Sequence, residues 1–342
     1  MSGGIDSTVA AFLLSKKYQI FGLTMRLGKF GEQAIEKAKK ACKKLKIPHY
    51  IVNLEKKFTK EIIRPFCCEY LNGKTPNPCV RCNEKIKFGL LLKEAKKFGA
   101  DYLVTGHYAR LKRRENPNSK SKIIYQLLKA RDKTRDQSYF LYRLNQNQLK
   151  QVIFPLGDLT KNEVKKIAAK NGLTNRKQKE SREICFIPDS DYRQFLKKYS
   201  QQKIKIGPVK DLKGNILGKH QGISHYTVGQ RKNLNISGLK EPYYVLKIDA
   251  KRNVIIVGPK KFSYSKKVKI KNVNWIIQPK MIKKKIIEAK IRYGTPPAKC
   301  RIFLKNKIAV LNFIKPQFAV TPGQSAVFYD KEEVLGGGTI EE

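Results

Sequence analysis

Ser2-Gly3-Gly4-Ile5-Asp6-Ser7 runs without a break into Thr8-Val9-Ala10-Ala11-Phe12-Leu13-Leu14. Small residues let the backbone close around an anion, and the first amides of a helix starting there point toward it. Ser2 and Ser7 add hydroxyl donors, and Asp6 is suited to hold Mg²⁺ or to cap the helix. The loop is not of the Walker type, which ends in Gly-Lys-Ser or Gly-Lys-Thr. A Gly-Gly turn before a helix is common, so the loop alone decides nothing.

Outward from it, helices and strands alternate. Residues 6–14, 32–45, 58–71 and 86–98 carry helical apolar spacing, while 18–25, 49–54 and 101–105 read as strands. Residues 73–83, broken by Pro76 and Pro78, read as a loop. The alternation predicts an α/β domain, a doubly wound parallel sheet with ligands at the carboxyl ends of its strands. A strand is expected ahead of the glycine loop, where only Met1 stands. A start further upstream is the expectation, because loss of a central parallel strand exposes both its neighbours.

Residues 145–171 turn helical, with Thr160 as N-cap and Gly172 closing the last helix. From Gly207 the character changes to short apolar runs between turns: YYVLKID (243–249), NVIIVG (253–258), KVKIKNVNWI (267–276), IIEAKIRYG (286–294), CRIFLK (300–305), IAVLNF (308–313) and SAVFYD (325–330). These predict two small β-rich domains, the last a barrel. The expected division is 1–199, 200–263 and 264–342.

Lys and Arg number 73 against 27 Asp and Glu, a net charge of +46, which permits binding of a polyanion without naming it. No run approaches the roughly 18 apolar residues that span a bilayer, and no basic leader precedes an apolar segment. A cytoplasmic protein without a membrane partner is expected. The seven cysteines do not form a secreted disulfide framework and are expected to be reduced. Cys79 and Cys82 lie among basic residues, surroundings that favour thiolate. Cys185, in the strand-like run Ile184-Cys185-Phe186-Ile187, reads on its own as a small buried hydrophobe. Cys79 and Cys82, with Cys67-Cys68 or Cys185, leave zinc or an iron–sulfur cluster as a lesser reading, because adjacent cysteines strain tetrahedral ligation. No tightly bound metal is expected.

Ser2–Ser7 resembles the pyrophosphate loop of the ATP pyrophosphatases, which adenylate a substrate oxygen. Within that superfamily, TPNPCVRCNEKIKFG (75–89), TGHYAR (105–110), RDQSYFLYRL (135–144), REICFI (182–187), GKHQGISHYTVGQRKNLNI (218–236) and TPGQSAVFYD (321–330) resemble, in order, the tRNA-specific 2-thiouridylases. The resemblance implies sulfur transfer to C2 of the wobble uridine (U34) of tRNA, using ATP and Mg²⁺. It implies that Cys185 carries a persulfide from a donor protein, a cysteine desulfurase or sulfur-relay protein. Cys82 is then the nucleophile, and a transient Cys82–Cys185 disulfide results. It further implies ATP contacts at Ser2, Gly3, Gly4, Ile5, Asp6, Ser7, Met25 and Gly106. Its tRNA contacts map to Asn77, Pro78, Cys79, His107, Arg135, Asp136, Gln137, Arg292, Tyr293 and Gln324, with a helical tRNA-binding extension inside 1–199. Many relatives have Asp at the position of Cys79, so the C-x-x-C formed here with Cys82 is a departure. The alternatives are another ATP pyrophosphatase of the amidotransferase kind, or a tRNA-binding homologue with impaired catalysis.

Overall fold

The computed structural model describes residues 1–115, 123–173, 184–187, 191–200, 204–277, 286–305 and 308–341. α1 (Ile5–Ser15) starts from Gly4 in extended backbone, with no side chain capping it. β1 (Gly22–Arg26) pairs in parallel with β2 (His49–Asn53), joined by the lysine-rich α2 (Glu32–Leu45). α2 buries Ile35, Ala38, Ala41 and Cys42 at helical spacing and turns its lysines outward, so the stripe read from the sequence is the stripe that packs. This is one βαβ unit of the α/β domain expected.

A helical run follows: α3 (Glu55–Phe58), a π-helical segment (Thr59–Ile63) and α4 (Arg64–Leu71). α5 (Pro78–Arg81) passes directly into a second π-helical segment (Cys82–Leu91) and then α6 (Leu92–Lys97). Cys79 and Cys82 are therefore helical, not in the expected loop. Pro78 is the reason: without an amide, and with φ already helical, proline suits the first position of a helix. β3 (Leu103–Val104) leads to a hairpin of β4 (Arg110–Glu115) and β5 (Ile123–Leu128). α7 (Gln146–Leu149) is shorter than expected. Val152 and Ile153, β-branched, leave the helix as β6 (Val152–Ile153) and pair in parallel with β3. α8 (Lys161–Lys170) opens on a capping box: the Glu163 amide donates to Thr160 Oγ1 (3.2 Å), and the Thr160 amide to the Glu163 carboxylate (2.7 Å). α9 (Tyr192–Tyr199) follows, capped by Asp191.

β7 (Gly207–Lys210), β8 (Ile216–His220), β9 (Tyr243–Asp249) and β10 (Val254–Pro259) form a sheet in the order β8-β7-β10-β9. Its core holds Val209, Val245, Ile255 and Val257. The remaining strands are β11 (Tyr264–Trp275), β12 (Ile286–Lys290), β13 (Ala298–Lys305), β14 (Ile308–Phe318), β15 (Ser325–Asp330) and β16 (Glu333–Ile340). They pair as β11-β14-β13-β12-β15-β16, and β16 returns to β11, closing the expected barrel around Ile270, Leu311, Phe313 and Phe328.

The barrel is fused to the α/β domain. Glu333 of β16 pairs with Leu128 of β5, hanging the hairpin on the barrel wall. Ile276, Val327, Tyr329 and Val334 share one core with Phe88, Leu127, Tyr139 and Tyr142. No described helix is long and apolar enough to cross a membrane. Thr160→Ala removes the cap of α8 and should lower stability by about 1 kcal/mol, read from the midpoint of urea unfolding followed by circular dichroism.

Candidate active site

The glycine loop is shaped as an anion cradle. Gly3 takes φ +69°, and a Cβ there would lie 2.3 Å from the carbonyl carbon of Lys37. The first helical hydrogen bond runs from the Thr8 amide to Gly4 O (3.0 Å), so the amides of Ile5, Asp6 and Ser7 have no helical acceptor. Ser2 Oγ donates to Ser7 Oγ (3.1 Å), placing both hydroxyls at the mouth. Gly106 lies directly on the loop, since a Cβ would meet the Asp6 carbonyl carbon at 2.8 Å and the Ser7 amide at 2.9 Å. Met25 stands half-buried near the carboxyl end of β1, where a parallel sheet receives ligands.

Asp6 neither caps α1 nor stands open for a metal. Its Oδ1 accepts from Tyr108 Oη (2.8 Å) and Lys161 Nζ (2.7 Å), and its Oδ2 from Lys161 Nζ (2.9 Å). Lys161 is 5% exposed, and an ammonium that deep needs a counter-ion. The pair pins the first turn of α1 to the first turn of α8.

Cys82, buried, opens the second π-helical segment, while Cys79 is exposed on α5. Cys185 is exposed and sits in a turn closed by the Ile187 amide donating to Ile184 O (3.0 Å), which corrects the buried, strand-like reading. The adjoining Ser181, Arg182 and Glu183 lie outside the described residues. Phe186 anchors the turn, its ring packed on Phe58, Phe66 and Phe195 at 5.6, 5.3 and 5.3 Å. The three thiols lie close enough to perturb one another. Burial pushes the Cys82 thiol up to about 12, Lys87 opposes it, and Cys185 and Cys79 add to it. Cys79 and Cys185 touch solvent, yet surrounding protein desolvates both thiols and raises them, again against Lys87. Basic neighbours thus do not leave Cys82 a ready thiolate. Arg81, its predecessor, is spent on Glu61 (3.2 Å), and desolvation wins. All seven cysteines are free. Among the described residues, no group of three His, Cys, Asp or Glu side chains is placed to share a metal ion.

His107 accepts or donates at Nδ1 with Thr105 Oγ1 (2.7 Å), between the rings of Phe88 (5.7 Å) and Phe154 (6.0 Å). Burial, and then Lys87, hold its imidazole well below the usual histidine range, so it is neutral at pH 7.

Some of the other named residues meet at the 75–78 segment, and Arg135, Asp136 and Gln137 do not. The Thr75 amide donates to Pro322 O (2.9 Å), Gln324 Nε2 donates to Thr75 O (2.8 Å), and Thr75 Oγ1 donates to Thr227 Oγ1 (3.1 Å). The middle sheet and the barrel thus both grip the strand of chain before Asn77 and Pro78. Asn77 hydrogen-bonds Tyr139, whose Oη donates to Ser325 O (2.8 Å). Tyr293 packs on Phe140 (4.5 Å) and Tyr139 (5.8 Å), and Arg292 Nη2 donates to Thr321 Oγ1 (2.6 Å). Asp136 and Gln137 turn inward. Asp136 accepts from the Ala130 and Ser138 amides, and Gln137 Oε1 accepts from the Tyr108 amide (3.1 Å). Arg135 remains half-buried beside them.

Sequence reasoning missed Lys87, Lys161 and Tyr108. Tyr108 sits inside the quoted TGHYAR block, and Lys161 follows the predicted cap. Lys87 looked like one more surface lysine. With its thiol near 12, Cys82 ionises further as pH rises. Its rate of carbamidomethylation, read by peptide mass spectrometry, should climb about tenfold per pH unit from 7 to 10. A plateau below pH 9 would contradict this.

Residues 1–189 match the family described as tRNA methyl transferase HUP domain. Residues 193–259 match its PRC-barrel domain, and 265–340 the family described as aminomethyltransferase beta-barrel domain. A tRNA-specific 2-thiouridylase of Halothermothrix orenii is 45% identical over 356 residues, covering 100% of this chain and 98% of the relative. One from Thermoanaerobacter pseudethanolicus is 45% identical over 357 residues, covering 100% and 96%. One from Clostridium botulinum is 42% identical over 350 residues, covering 100% and 97%. With the ordered motifs, the anion cradle and the grouped thiols, these likenesses mean that the chain belongs to the tRNA-specific 2-thiouridylase family.

Proposed function

We propose that this protein is a tRNA-uridine 2-sulfurtransferase, replacing the C2 oxygen of the wobble uridine by sulfur and converting ATP to AMP and pyrophosphate. The observation that carries this reading is an anion cradle packed against Gly106, the neighbour of His107, in a molecule where Lys87 acts on His107 and on both Cys82 and Cys185. Methyl transfer, named in the matching family's description, has no use for such a pair. Neither has an amidotransferase-type synthetase.

The cradle suits a nucleotide's phosphates, since neither Gly3 nor Gly106 has room for a Cβ and the three helix-start amides before Thr8 have no helical acceptor. Ser2, Gly3, Gly4, Ile5, Asp6 and Ser7 would hold the phosphates, with Met25 and Gly106 toward the nucleoside. Bound ATP supplies an adenylyl group that makes the C2 oxygen a good leaving group. Asp6 is a poor ligand for Mg²⁺, because Tyr108 and Lys161 already occupy both its oxygens. Magnesium is assigned to the nucleotide, and no step is drawn through it.

The sulfur steps belong to the protein. Cys185 receives a sulfane sulfur from a persulfide donor protein, a cysteine desulfurase or sulfur relay. Its terminal sulfur forms the C2–S bond as the C2–O bond breaks. The Cys82 thiolate then attacks Cys185 Sγ and breaks the S–S bond, and the terminal sulfur keeps the electron pair and stays on the base. The resulting Cys82–Cys185 disulfide is reduced by a dithiol in a two-electron step. Asn77, Pro78, Cys79 and neutral His107 border the place for an unstacked base. Arg135, Arg292, Tyr293 and Gln324 are assigned to the RNA. Asp136 and Gln137 shape the loop that presents Arg135.

Unmodified tRNA incubated with protein, Mg-ATP and a cysteine desulfurase loaded with persulfide from cysteine should yield 2-thiouridine by nucleoside mass spectrometry. Cys185→Ser should abolish the product while leaving ATP binding and RNA affinity nearly unchanged; persistent 2-thiouridine in that variant would overturn the assignment. Arg292→Ala should weaken binding evenly across cognate tRNAs and reduce the salt slope by about one. An unaltered slope would mean that Arg292 contacts no phosphate.

A further inference from the structure

We propose that Lys87 is a positioning residue of sulfur transfer, an ammonium that both working thiols share as counter-ion while negative charge passes between their sulfurs. The inference rests on the sulfurtransferase reading above and adds a residue to it.

The helix geometry comes first. Cys82 and Lys87 are five positions apart in a π-helical segment, Cys82–Leu91. In an α-helix, with about 3.6 residues per turn, five positions rotate a side chain roughly 140° away. The wider i→i+5 turn of a π-helix brings that position back toward the same face. The widened turn therefore puts Lys87 on the Cys82 side of the helix. Ile86 and Phe88, on either side, are 0% and 1% exposed, while Lys87 is half-buried. Lys87 thus emerges between two core side chains.

The neighbouring charges come next. Glu84 is engaged by Lys85 (3.3 Å) and Arg143 (3.3 Å), and Glu61 by Arg81 (3.2 Å). Among the described residues the Lys87 side chain makes no hydrogen bond and no ion pair. The titratable groups it acts on are Cys79 and Cys82 of its own helix, Cys185 of the 184–187 turn, His107 of the TGHY segment and the amino group of Met1. His107 is neutral, so it adds no positive charge near the sulfurs. Among the described residues whose charge acts on Cys82, Lys87 alone favours its thiolate. When Cys82 attacks Cys185 Sγ, the charge moves from one sulfur toward the other, and both lie within reach of the same ammonium. A counter-ion common to both ends need not move during the step.

The test compares Lys87→Met, Lys87→Gln and Lys87→Arg, each first checked for native circular dichroism and melting; if Lys87→Met fails to fold, Lys87→Gln replaces it. In the free protein, without ATP or RNA, carbamidomethylation of Cys82 and Cys185 is followed against pH. Both rates should fall at least tenfold at pH 8 in the neutral variants and return most of the way in Lys87→Arg. Single-turnover 2-thiouridine formation should fall in parallel, while tRNA-dependent AMP release falls less. Unchanged alkylation in the neutral variants would overturn the proposal, as would slowed thiolation with unchanged alkylation or a neutral variant matching Lys87→Arg. Failure of the wild-type protein to thiolate tRNA would instead sink the functional reading, and the alkylation comparison would still decide the role of Lys87.

Discussion

A sulfur that must carry negative charge is buried here, and burial penalises the charged form. Cys82 is 9% exposed, with its thiol pushed up to about 12, and the other two thiols of the cluster are raised with it. The resting site is therefore held as thiols, chemically quiet toward chance oxidants, because the thiolate and not the thiol is the nucleophile. Several features of the molecule follow from that constraint. The segment leading into the cysteine helix is held firmly, and compensating charge must come from groups already in place. The Asp6–Lys161 pair meets the same demand at the nucleotide end, where a buried ammonium is balanced before any phosphate arrives.

The firmness comes from sharing. Thr75 is gripped by Gln324 and Pro322 of the barrel and by Thr227 of the middle sheet, and Asn77 is gripped by Tyr139. Tyr139 is itself tied to Ser325, and Arg143 joins Glu84 of the cysteine helix to Thr339 of β16 (3.3 and 3.1 Å). The stretch 138–144 thus mortars the α/β domain to the barrel. Its conspicuous tyrosines and arginine are structural as much as anything else. The barrel bears on the 75–78 segment through two hydrogen bonds at Thr75, with no long relay between them.

Much of this was legible in the sequence wherever one local rule dominates. The stripe of Ile35, Ala38, Ala41 and Cys42 announces α2, the Thr160/Glu163 box announces α8, and the alternating runs from residue 243 announce the β-rich half. The cysteine helix was misread because two prolines look like breakers, although Pro78 is where a helix prefers to begin. The turn around Cys185 was misread because Ile184, Phe186 and Ile187 suggest a strand. Only tertiary packing of Phe186 among three other rings decides otherwise. Lys87 and Lys161 were invisible for a plainer reason. Among so many lysines, no local pattern distinguishes Lys161, whose ammonium meets Asp6, or the half-buried Lys87.

The core shared by Leu127, Tyr139 and Tyr142 with Val327, Tyr329 and Val334 also bears on how the protein is made. Translation delivers β15 and β16 long after the cysteine helix and the glycine loop have emerged. Until those strands arrive, the nascent α/β half carries an uncovered apolar face, the kind of surface on which chaperones act. Its 75–78 segment also lacks the carbonyl of Pro322 and the side-chain amide of Gln324 that seat Thr75. A half-made chain can therefore bind a nucleotide's phosphates before it can present a thiol to anything, and competence for chemistry arrives only with the final strands.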